Sequence, residues 1–211
     1  MPAVPSPRRV PPFEPRPTSL VLSDRKIDLS TRALVVAVVP TPRWAREAEV
    51  LAGVHGAADA GADVVEVPAE PRLLGPAASS AEVPIAARVT SVDAARAART
   101  AGAGLLLVPT DHLAAAEADT SDNARENRST DPHAPGSGVA VLVSHARDVP
   151  TAPTATTGAP VALDTVGLVG VDSVAETSLA LAVGARLIRT SDVRRSRRVV
   201  EVMAALLEAR S

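Results

Sequence analysis

Three times along the chain an Ala-rich stretch gives way to a small-Gly-Ala step and then to a short unbroken apolar run. The steps are Ala60-Gly61-Ala62 before Val64-Val65, Ala101-Gly102-Ala103 before Leu105-Leu106-Leu107, and Val183-Gly184-Ala185 before Leu187-Ile188. Each reads as helix, stop, strand. Gly just past the last helical turn takes the left-handed cap without a Cβ penalty, and a run of four to six apolar residues after it suits a strand buried on both faces. Helices feeding buried strands, repeated, predict parallel α/β units. Such folds place their chemistry at the carboxyl ends of the strands.

Extended along the chain, the same reading predicts strands at 33–39, 63–67, 83–87, 104–108, 139–143, 161–164 and 186–189. Helices are predicted at 47–60, 91–101, 113–118, 173–183 and 193–209, with Ser91 an N-cap. Residues 20–29 alternate enough for a short edge element. Pro68, Pro71, Gly75 and Pro76 read as a loop. Residues 119–138, rich in Ser, Asn, Asp and Pro, read as a long mobile loop. Between 151 and 160 a Pro/Thr/Gly stretch stands where a crossover helix belongs, so one α/β unit is eroded. Seven strands result, one short of a closed eight-stranded barrel.

Composition narrows this picture. The 211 residues are 46% hydrophobic, enough for one domain with a real core, yet only 1% aromatic, with Phe13 and Trp44 alone. Packing therefore falls to Ala, Val and Leu. Residues 1–19 form a Pro-rich arm predicted to be disordered, and its prolines break any signal-peptide core. Residues 20–211 form the barrel domain. The absence of cysteine excludes disulfides and thiolate chemistry, and His55, His112, His133 and His145 are too scattered for a local metal motif. A net charge of -2 gives no general attraction to nucleic acid or membrane, and no run is long enough to span a bilayer. A cytoplasmic location is the expectation.

Several segments together resemble the dihydropteroate synthase family of pterin-binding TIM barrels. VVAVVPTPRW (35–44) is similar to the family's first-strand MGxxNVTPDSF, and AGADVVEVPAEPRLLG (60–75) to AGADxxDxGGESTRPG. Residues 83–108 resemble VPISVDT followed by the AGAxxIND strand, 141–150 (VLVSHARDVP) resemble VLMHMRGTP, and 185–193 (ARLIRTSDV) resemble the AxxxRxHDV ending. The resemblance implies a parallel (β/α)8 TIM-type barrel, here expected to be incomplete or distorted between strands five and eight. It also implies the family's activity, transfer of the pterin methyl group from its diphosphate to p-aminobenzoate with magnesium.

At the sites the match fails. Arg88 stands where the third-strand Asp belongs and Leu107 where the fourth-strand Asn belongs, so two hydrogen-bond acceptors for a pterin edge are replaced. Val39 replaces the Asn that helps hold magnesium, and Arg43 replaces a neighbouring Asp; a hard cation wants oxygen. The family's pterin-contacting lysine is absent, since Lys26 is the only lysine. Magnesium is thus expected for the family, but its ligand position is lost and no cofactor is predicted. No catalytic residue is assigned.

The retained Arg189, with Ser191 where the family's His stands, is an anion-binding candidate; the alternative is a solvent-facing loop residue. Arg43 and Arg88 join it as candidates for an anionic substrate. Asp164 aligns with either the sixth- or the seventh-strand motif, and His145 with the strand residue of MHM, which could face the barrel interior. Glu66 and Glu70 could form an acid/base pair, although structural use is favoured. Arg194, Arg195, Arg197 and Arg198 read mainly as the exposed side of an amphipathic closing helix, and Asp192 as a first-turn residue suited to the helix dipole.

The leading expectation is a catalytically degenerate relative that serves as a binding or partner protein. It would take a pterin or phosphorylated small molecule, and form a homodimer or pair with an authentic synthase. The alternative is an active transferase of altered specificity, with Arg43, Arg88 and Arg189 around a phosphorylated or anionic substrate.

Overall fold

In the computed structural model, described for residues 19–22, 25–42, 44–112, 138–151 and 159–209, seven parallel strands close into a barrel. An antiparallel hairpin comes first, β1 (Ser19–Leu22) and β2 (Arg25–Asp28). The barrel strands are β3 (Leu34–Val38), β4 (Val64–Glu66), β5 (Ile85–Arg88), β6 (Leu105–Pro109), β7 (Gly138–Val143), β8 (Val161–Asp164) and β9 (Leu187–Thr190). They pair in chain order, and β3 pairs with β9 to complete the ring. The helices are α1 (Glu47–Asp59), α2 (Pro71–Ser80), α3 (Val92–Thr100), α4 (Gly170–Ala182) and α5 (Val193–Glu208). The predicted arm up to residue 18, the helix at 113–118, nearly all of the loop at 119–138, and Arg43 lie outside the described residues, while Ser19, read as the end of the arm, opens β1.

The architecture is thus the expected TIM type, closed by seven strands. The single strand β8 stands between β7 and β9, in the region where the barrel was expected to be incomplete. Strand alternation sends one set of side chains inward and the other toward the helices. The inner set includes Leu34, Val36, Val64, Ala86, Leu105 and Leu187, all essentially inaccessible. Ala86, Ala140 and Ala162 let this layer close without aromatic filling. The outer set, among them Val35, Val65, Leu106, Val141 and Ile188, meets the helices. Each fully buried Val or Leu contributes about 1.5–3 kcal/mol.

The region read as an edge element is the hairpin, and it belongs to the inner cluster. Leu20, Leu22 and Leu29 pack with the interior layer, closing the amino end of the barrel. A Cβ added at Gly138, the first residue of β7, would lie 2.8 Å from Leu20 Cδ1 and from the Val21 carbonyl.

All three helix stops carry the same hydrogen bonds. Gly61, Gly102 and Gly184 have φ of 95°, 96° and 102°. The alanine after each donates its N–H five residues back, Ala62 to Ala57, Ala103 to Ala98 and Ala185 to Ala180. Each glycine N–H meanwhile reaches the carbonyl three residues back, which is the Schellman arrangement.

One expectation fails. Residues 71–80, read partly as loop, form α2, with Pro71 in its first turn and Pro76 inside it. Burial of Leu73, Leu74 and Ala77 outweighs the ladder bond that Pro76 cannot make.

Candidate functional site

The inward face of four strands changes from apolar to charged at their carboxyl ends. Two residues beyond the interior Val64, Ala86, Ala162 and Leu187 come Glu66, Arg88, Asp164 and Arg189. A period of two keeps them on the same face, so these charges gather at the rim.

Arg189 is the centre of this group. Its side chain is 8% exposed and donates Nε and Nη2 to the two oxygens of Glu66, the Nη2 bond being 2.8 Å. Nη1 lies 2.9 Å from both oxygens of Asp164. β3 lies between β4 and β9, so the Glu66 pair reaches across it, while the Asp164 pair joins neighbours. Burial alone would weaken Arg189 as a base. The bonds it donates to Glu66 and the charges of Glu66 and Asp164 more than reverse this and hold its proton more tightly than usual. Two carboxylates about one guanidinium leave one net negative charge.

Backbone bonds fix the geometry. Thr165, directly after Asp164, gives both its N–H and its hydroxyl to the Arg189 carbonyl, each at 2.8 Å. Asp164 also accepts from the Val166 N–H. Past β9, Asp192 caps α5 by accepting from the Arg195 N–H, and the buried Thr190 and Ser196 hydroxyls bond at 3.0 Å.

The candidates from the sequence therefore separate. Arg189 and Asp164 meet directly. Arg88 shares the inward face of the rim but is exposed, and its side chain has no partner among the described residues. Ser191 is exposed beside the start of α5. His145 is exposed beyond β7, outside the barrel interior, where its carbonyl accepts from Asp148 N–H. Arg43 is outside the described residues. The paired-carboxylate reading of Glu66 and Glu70 does not match the geometry, since Glu70 is exposed and bonds Arg72 at 2.8 Å. Of the arginine cluster, Arg194, Arg195 and Arg198 are exposed on α5, while Arg197 turns inward to Asp63 and also holds Glu201.

Magnesium does not fit the residues at the end of β3. Val39 is buried against α1, so close that a Cβ at Gly53 would stand 2.6 Å from its Cγ1. The Thr41 hydroxyl is turned back onto the Val39 carbonyl. Glu66 and Asp164, the carboxylates on the inward face of the rim, already share the Arg189 guanidinium. Among the described residues no cluster of three or more Asp, Glu or His side chains suits a metal ion.

A closed parallel barrel flanked by helices, with its charged side chains gathered at the carboxyl rim, defines a TIM-type α/β barrel protein. No family model and no curated protein matches the sequence. Solved structures do match. The dihydropteroate synthase from Vibrio fischeri superposes with a TM-score of 0.66 at 12% identity, over 90% of this chain and 98% of that one. The Thermus thermophilus dihydropteroate synthase in complex with 6HMPPP gives 0.59 at 22% identity, over 90% and 99%. The Mycobacterium tuberculosis protein Rv1207 gives 0.55 at 24% identity, over 89% and 96%. The fold is that of the dihydropteroate synthases, carried by a sequence 12% and 22% identical to the two synthases compared.

Proposed function

We propose that this chain is a catalytically degenerate dihydropteroate synthase-like protein that acts by binding rather than by pterin transfer. The observation that carries this reading is the closure of Arg189 by Glu66 and Asp164. An arginine already bonded to two carboxylates presents no net positive charge to a diphosphate. Leu107, buried at the interior of β6, and the apolar end of β3 weigh the same way, because each acceptor removed from a buried ligand costs about 1–3 kcal/mol of recognition.

The same closure weighs against a transferase of altered specificity, which needs Arg43, Arg88 and Arg189 together around an anion. Calorimetry with the pterin diphosphate and magnesium, run beside a coupled pteroate-forming assay, tests the proposal. The expected result is no turnover; saturable product formation overturns it. Mixing with an authentic synthase and measuring mass in solution tests the partner role, and two species that stay separate remove it.

A further inference from the structure

Opposite the rim, near the amino ends of β3 and β9, α4 and α5 enclose a pocket of about 450 Å³ with the segment before β3. Its floor is aliphatic, from Leu181, Val200, Met203 and Ala204. Its volume lies in the range of small-molecule sites, and Met lends such a floor adaptability. Arg186, two residues past the Gly184 cap, lines the same space.

Arg186 is half-buried, and its guanidinium has no hydrogen-bond or ion-pair partner among the described residues. Charges withdrawn from water are ordinarily paired, so this one is an exception that asks for a ligand. Burial lowers its proton affinity, with no neighbouring carboxylate acting to restore it. The other charges around it are accounted for. Arg32 makes a two-pronged bond to Asp63 at 2.8 and 3.0 Å, Arg197 bonds Asp63 and Glu201, and Glu208 stands at the pocket's edge with no ion pair to Arg186.

We propose that this pocket binds a monocarboxylate with an aliphatic body, the carboxylate on Arg186 and the chain along the Leu181–Met203 floor. A planar guanidinium suits a planar carboxylate, and one unpaired cation beside Glu208 suits a single negative charge better than a phosphate dianion. The site lies at the other end of the barrel from the rim and is independent of the function proposed there.

Titration calorimetry of the full chain with sodium octanoate tests the proposal. Saturable one-to-one binding is expected, with no binding of an alkylammonium salt of the same chain length. Arg186→Gln should weaken octanoate by at least about tenfold, whereas Arg198→Gln, an exposed change on α5, should not. Ala204→Phe, which fills the floor and keeps Arg186, should also abolish binding. Glu208→Gln should strengthen it. Without ligand, Arg186→Gln should keep or raise Tm, because it removes an unpaired half-buried charge. Failure of octanoate to saturate in the low-millimolar range overturns the proposal, as does undiminished binding by Arg186→Gln. Equal falls in Tm for Arg186→Gln and Glu208→Gln would reveal a plain ion pair between them and overturn it too.

Discussion

The single cation between Glu66 and Asp164 makes Arg189 the residue on which the rim depends. Replacing it with Met keeps much of its apolar stem, removes the guanidinium and leaves the Glu66 and Asp164 carboxylates without their shared cation. Such a pair resists full ionisation, so one of them would titrate above its unfolded value. A carboxylate raised in the folded state stabilises below the unfolded pKa and loses that contribution as pH rises through the raised value. Arg189→Met should therefore cost about 3–5 kcal/mol at pH 8 and regain part of it by pH 5, as read by urea unfolding. A difference from wild type that is the same at both pH values would show that the carboxylates do not depend on this guanidinium. Asp63, at the amino end of β4, shows the opposite sign. Burial would raise its pKa, but bonds from Arg32 and the Val35 N–H, with the charges of Arg32 and Arg197, hold it below the ordinary 3.8. Its contribution is present above about pH 4 and fades as pH falls through the lowered value. Asp63→Asn should cost about 2 kcal/mol at neutral pH, and the gap from wild type should narrow in acid titrations below about pH 4.

At the scale of elements, the three caps differ in what surrounds them, and this separates backbone strain from crowding. Gly61→Ala meets nothing nearer than Arg197 Cγ at 3.9 Å and should cost about 1 kcal/mol from its positive φ alone. Gly102→Ala adds a methyl 2.9 Å from Ala78 Cβ, which presses α3 away from α2, and should cost distinctly more in the same thermal unfolding measurement. Equal effects would remove crowding from the account. These caps could be read in the sequence because a left-handed residue before a buried run leaves a local chemical mark. The strands could be read because burial on both faces makes them apolar throughout. α2 could not, since Pro71, Gly75 and Pro76 carry loop chemistry and the burial that overrides it is tertiary. Arg189 stood out as a strand-end arginine, but its partner Glu66 lies 123 residues away, and no local spacing encodes that pairing. Only the alternation that puts Glu66 two residues past the interior Val64 could have pointed inward.

For the whole molecule, the two ends of the barrel divide the work. The amino end is closed by the hairpin and by the Arg32–Asp63–Arg197 bonds, while the carboxyl end gathers the charges of the proposed binding site. Among the described residues no helix is long and apolar enough to cross a membrane. The joining of β3 to β9 governs how this chain must come into being. β3 is made early and gains β4 on one side soon after, yet its partner on the other side begins at Leu187, so until then the backbone N–H and C=O groups along that edge face water without a mate. The finished ring hides an edge that the growing chain must expose, and neighbours on one messenger could pair through it before β9 arrives.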